Sequence, residues 1–277
     1  MADEFNNTGH FFSPAAMMWR VHREAILLLA GGRALLMQIA HPKIAAGVSD
    51  HSSFHDDPLG RLQRTTEALW SIIFDEKSVA QAAVNGVKRV HQRVHGAVGA
   101  AEPLPAGTPY DAFDEELLLW VHATLIDAAI QSYELFVRPM TVNEKACYYE
   151  ESKTLARLFD IPEALIPQSL PEFNVYMVST IESSAIAVGT AAQTIAQDII
   201  YPTPWILKPG APVHRLATAG LLPAKLRRAY GLQWSDRRKN LFLLMARLIR
   251  GLLPLTPRFL RIVPNARRSE QRLRLSR

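Results

Sequence analysis

Apolar residues recur three and four positions apart in nearly every long segment of this chain, and no run shows the strict alternation of a half-buried strand. That periodicity commits the chain to an all-α fold. Helices are expected over residues 17–41, 58–74, 76–96, 113–137, 142–159, 170–199, 213–220, 223–230 and 235–251. Several ends have a local cause. Asp57-Pro58 offers an N-cap carboxylate followed by a proline at the first helical position, where a missing N–H is no loss. Gly96 and Gly99 can take the left-handed conformation that stops a helix, so the helix carrying VHQRVHG (90–96) is expected to end at its second histidine. No repeat and no linker divides the 277 residues, which read as an N-terminal arm (1–16), one helical domain (17–251) and a basic tail (252–277).

Composition narrows the classes. The single cysteine, Cys147, excludes an internal disulfide framework and sits beside Tyr148 and Tyr149 as a small buried hydrophobe would. No cationic region precedes an apolar run at the N-terminus, so no signal peptide is read and a cytoplasmic protein is expected. The longest apolar stretch, AILLLAGGRALLMQIA (25–40), contains Arg33 and falls short of the roughly 20 residues of a spanning helix. Charge is uneven: from Lys225 to Arg277 there are 15 Lys and Arg against Asp236 and Glu270, whereas the body before Lys225 is acidic. The last dozen residues read as disordered by composition. With no aromatic after Phe259 the tail is not read as a nucleic-acid binder, and no nucleic-acid partner is expected. Apolar clusters interleaved with arginines in NLFLLMARLIRGLLPLTPRFLRIVP point to peripheral contact with a membrane surface, set against a helix packed on the domain with snorkelling arginines.

The residues that carry chemistry are histidines. On a helical wheel Val84, Val87, His91 and Val94 form one stripe, with Lys88, Arg89, Gln92 and Arg93 outside it. His91 therefore faces inward, and His95 lies at the stripe's edge in the last turn. A buried neutral imidazole needs partners for both ring nitrogens, and a metal ion is one such partner. HExxH and Glu-x-x-His are both absent, which removes the zinc-protease and di-iron carboxylate readings. One inward histidine on a helical scaffold suits haem; it equally suits a satisfied core histidine, and spacing alone does not decide. His122, in LLLWVHATLID, and His41, in QIAHP, carry the same ambiguity. DHSSFHDD (50–57) gathers His51, His55, Asp50, Asp56 and Asp57, as a divalent-metal loop or as ordinary residues before a helix start. Arg61 and Thr65 share a helical side with Leu62, Leu69 and Ile72. No GxGxxG, Walker loop or GxSxG elbow supports a nucleotide or serine-hydrolase reading.

Taken in order, RVHRE with ILLLAGGRALLMQIAHP, GVSDHSSFHDDPLGRLQRT, VHQRVHG, YDAFDEELLLWVHATL, YYEE and GLLPAKLRRAYGLQW resemble the MpaB/latex-clearing-protein family, from about Trp19 to Trp234. The resemblance implies a haem b protein with a globin-like core that uses dioxygen, with relatives that cleave carbon–carbon double bonds in isoprenoid chains. It places His91 at the position of the proximal iron ligand. Arg61 and Thr65 match an Arg and a Thr on the haem face, with Arg64 at a Lys position; His122 would line the pocket or orient a propionate. His95 stands where the rubber-cleaving branch has an Arg, and no acid near Ala45 matches that branch's carboxylate base. The implied partners are dioxygen and a small hydrophobic unsaturated substrate, isoprenoid or lipid. The alternative is a non-catalytic helical protein that carries haem or binds a partner through its basic C-terminus.

Overall fold

A computed structural model describes residues 9–51, 58–100, 102–201 and 210–275. The helices are α1 (Met17–His22), α2 (Ala30–Ile39), α3 (Pro42–His51), α4 (Pro58–Phe74), α5 (Lys77–His91), α6 (Glu115–Phe136) and α7 (Val142–Leu158). After them come α8 (Leu170–Glu182), α9 (Thr190–Ile200), α10 (Ala211–Leu221), α11 (Ala224–Ala229), α12 (Asp236–Leu252), α13 (Arg258–Arg261) and α14 (Pro264–Leu275). Among the described residues the only sheet is an antiparallel hairpin of β1 (His95–Ala97) and β2 (Pro109–Asp111), with Gly96 opposite Tyr110. The all-α expectation holds.

α6 is the central helix. Asp114 caps its start by accepting from the Glu116 and Leu117 N–H groups at 3.1 and 3.4 Å. Trp120, 2% exposed, donates its indole N–H to the Met37 carbonyl of α2 at 3.1 Å, and the main core gathers around it with Trp19, Phe74, Tyr148 and Tyr149. Arg33, the charge inside the longest apolar stretch, is buried on α2 and paired with Asp127 of α6 while also donating to the Leu221 carbonyl. Its desolvation is thus answered on two sides. Among the described residues no single helix is long and apolar enough to cross a membrane.

The structure differs from the sequence reading at four breaks. The segment expected as one helix over 17–41 is α1, a 3-10 turn (Ala25–Leu29) and α2, interrupted where Glu24 bridges Ile262. Pro42 then starts α3 after a bend of 107°, because the residue before a proline disfavours helical backbone. The segment 170–199 is α8 and α9. Lys225 closes α8 by donating to the Ile181 and Ser183 carbonyls at 2.6 and 3.0 Å, and Glu102 opens α9 by accepting from the Ala191 N–H at 2.8 Å. Helix α5 stops at His91, not His95, since the Val94 carbonyl accepts from Ala112 at 2.9 Å and draws the chain into β1. Gly96 is there for space and not for a left-handed cap: a Cβ would lie 2.5 Å from the Tyr110 hydroxyl.

The basic C-terminal segment is folded. α14 buries Ala266 and Ser269 and packs on α4, with Arg272 bonded to Asp75 at 2.7 Å. Glu270, 10% exposed, takes Arg23 and Arg258, and Glu24, 3% exposed, takes Arg261 at 2.8 and 3.0 Å. Arg250 of α12 donates to the Glu134 and Leu135 carbonyls that end α6. The basic segment thus covers acidic groups of its own body.

Candidate functional site

Three helix ends meet at the start of α6. His91 closes α5 with its ring edge-on to Phe113, centroids 6.1 Å apart. Phe113 adjoins Asp114, whose Oδ2 accepts from Lys43 Nζ at 3.2 Å. His41, in the bend between α2 and α3, lies within the electrostatic reach of both Lys43 and Asp114. His122 is eight residues beyond Asp114 on α6, about 12 Å along the axis by helical rise. Of the apolar stripe read from the sequence, Val84 is buried and Val87 and His91 are half-buried on α5, while Val94, also half-buried, lies beyond the helix end.

These histidines share an electrostatic condition. Burial pushes the His122 ring down to about 4. Burial first and the Lys43 ammonium second push His41 to about 4, against a smaller opposing effect of Asp114. Burial also holds His91 below the ordinary histidine value. At neutral pH all three rings are uncharged. Each has one buried nitrogen with no hydrogen-bond partner among the described residues: Nδ1 of His91, Nδ1 of His41 and Nε2 of His122. A neutral imidazole in that condition is either a donor with no acceptor or a lone pair with no proton to meet, and the second form is a Lewis base. His22 shows the ordinary solution, its Nε2 2.9 Å from the Tyr148 hydroxyl inside the core.

The other expected residues are placed differently. His95 is exposed in β1, and its carbonyl accepts from His51 Nε2 at 3.0 Å; it does not join His91 on a helical face. Arg64 and Thr65 are exposed on α4, which packs along α5, and the side chain of Arg61 lies outside the described residues. Of the DHSSFHDD group, His55, Asp56 and Asp57 lie outside the described residues, while Asp50 accepts from the Tyr110 hydroxyl at 2.6 Å and so serves the hairpin. Among the described residues no group of three or more His, Cys, Asp or Glu could hold a metal ion. Cys147 is exposed on α7, against the expectation of a buried hydrophobe.

Sequence reasoning passed over Phe113, Lys43 and Glu102. The Asp-Glu-Glu run that starts α6 was the available signal for Phe113, as an aromatic directly before a helix cap. Nothing local marks Glu102, whose place against Gly189 and Ala191 is set by tertiary packing.

No solved structure matches the chain. Two relatives are each 26% identical over 229 residues, 79% of this chain and 87% of the relative: an uncharacterized protein of Mycobacterium bovis and an uncharacterized protein of Mycobacterium tuberculosis. Residues 19–251, which hold every helix from α2 to α11 and the three uncharged histidines, match the catalytic domain described as ER-bound oxygenase mpaB/B'/rubber oxygenase, and the chain belongs to that family.

Proposed function

We propose that this chain is a haem b-dependent oxygenase, with a globin-like helical core, acting with dioxygen on a hydrophobic unsaturated substrate of isoprenoid or lipid type, by oxygenation or by cleavage of a carbon–carbon double bond. One observation carries the reading: His91, which the resemblance puts at the position of the iron ligand, is held towards its neutral form by burial and keeps a buried ring nitrogen with no partner among the described residues. An orphaned polar atom is costly, about 1–3 kcal/mol, unless a ligand satisfies it. When bound, haem supplies the iron chemistry by which dioxygen reacts with an alkene.

The chain's own residues then have separable tasks. His91 gives a neutral nitrogen to iron, and Phe113 limits the rotation of its ring by edge contact. Arg61 and Arg64 supply positive charge for propionate carboxylates, and the Thr65 hydroxyl supplies a hydrogen bond on the same helix side. His122, uncharged and with Nε2 unserved, lines the pocket as a proton-accepting group. His95 stands apart on β1, where the rubber-cleaving branch has an arginine, and this departure is read as a difference in the substrate or in the cleavage reaction itself.

Purification after expression with ample haem tests this. A Soret band and aerobic turnover of unsaturated lipid or isoprenoid extracts are expected. Haem without turnover would make the protein a carrier and sink the enzymatic half of the proposal.

A further inference from the structure

Among the exposed apolar side chains, a concentrated run belongs to the C-terminal segment. On α12, Leu241, Leu244, Leu248 and Leu252 recur at helical spacing and are 55, 50, 56 and 60% exposed. In the segment that follows α12, Leu255, Phe259 and Leu260 are 79, 61 and 60% exposed. The other side of α12 is committed to the interior, where Phe242 and Ala246 pack with Phe136 and Ala217. α12 therefore has two apolar sides and uses one. Arg237 stands one turn before Leu241, and Arg247 flanks Leu244; both are exposed, with no acidic partner among the described residues.

Beside the row is a cavity of about 530 Å³ whose wall holds Arg23, Arg258, Arg261 and Arg274 together with Thr256 and Ile262. Its wall contains no acid. Glu270 and Glu24, reached by three of these guanidinium groups, leave the cavity with a net positive charge.

We propose that this surface docks the protein on an anionic phospholipid bilayer, with the leucine row and Phe259 entering the acyl boundary and lipid phosphates meeting Arg237, Arg247 and the four-arginine cavity. Charge selects this occupant over a second copy of the chain. Pairing two such faces would set cations against cations, since Asp236 and Glu270 are the only acids from Lys225 onward and Glu270 is already engaged. An interface of lipid phosphates supplies the missing negative charge, and exposed leucines rimmed by arginine are what an interfacial helix presents. The inference does not depend on the haem reading, because its readout is vesicle binding.

The full chain is centrifuged with vesicles of phosphatidylcholine alone and of phosphatidylcholine mixed with phosphatidylglycerol. Binding is expected to the anionic vesicles, weaker to the neutral ones, and to fall as salt is raised. Leu244→Ser with Leu248→Ser should weaken it about tenfold without moving the melting temperature, both side chains being exposed. Arg237→Ser and Arg247→Ser should each weaken it about fivefold. Equal affinity of wild type for the two vesicle types, or full binding by the leucine double variant, would overturn the proposal. So would a dimer that the leucine double variant dissociates in a protein that ignores vesicles.

Discussion

Two regions of the molecule treat buried polar groups in opposite ways. Around α1, α13 and α14 the buried carboxylates are answered, Glu24 by Arg261 and Glu270 by Arg23 and Arg258, and, deeper, Arg33 is answered by Asp127 and the Leu221 carbonyl. Around the start of α6 the reverse holds, and His91, His41 and His122 each keep a buried ring nitrogen with no partner among the described residues. Unserved buried atoms occur elsewhere too, Ser132 Oγ and Thr218 Oγ1 among them, but the three histidine nitrogens are the ones that can bind a metal ion, which sets this region apart. The first region serves stability; the second is the candidate site.

The comparison can be strained from its stable side first. Asp127→Ala leaves Arg33 buried without its carboxylate and should cost about 3–5 kcal/mol, read as a lower urea midpoint with an unchanged slope. An intact midpoint would mean that the Leu221 carbonyl alone satisfies Arg33.

Acid should act next, through His22. Its folded value, pushed down to about 4 by burial, lies below the unfolded 6.5, so its contribution is complete above pH 6.5 and is lost as pH falls toward 4. The loss is on the order of 3 kcal/mol. His22→Gln, which retains a hydrogen-bonding group for Tyr148 and removes one of the titrations, should make the dependence of urea midpoint on pH between 6.5 and 4 less steep, with His41 and His122 keeping the remainder; an equally steep profile would remove His22 from the account.

At the candidate site the sign should change. His122→Phe removes an unserved nitrogen, so the haem-free protein should lose nothing and gain up to about 1 kcal/mol, measured by thermal melting. A loss of 2 kcal/mol or more, on the ~1–3 kcal/mol scale of a lost buried partner, would show that the ring is already satisfied and is a core residue.

The same two regions differ in how much the sequence disclosed. Helix α4 falls at Pro58–Phe74, the span read from its periodicity and its N1 proline, because both signals are local. The inward stripe from Val84 to His91 was legible for the same reason. The end of α5 was not: Gly96 reads as a helix stop, yet its actual task is to let the Tyr110 ring lie across it, a contact made with a residue 14 positions on. The split of 170–199 depends on Lys225 and Glu102, and the Ala187 N–H turns to the Ala40 carbonyl at 2.9 Å, so no pattern within the segment could announce it. The basic tail looked disordered because its stability comes from Glu24 and Asp75, acids some 200 residues away. Which nitrogens were left unserved could not be read at all from spacing, since that depends on every neighbour a ring fails to have.

The most direct measurement is the visible spectrum of the protein loaded with haem, compared between wild type and His91→Ala. A Soret band in wild type, with the ligand-sensitive bands lost or shifted in His91→Ala and the melting temperature of the haem-free variant unchanged, is the result this account predicts. No band in wild type, or a spectrum indifferent to the substitution, would contradict it.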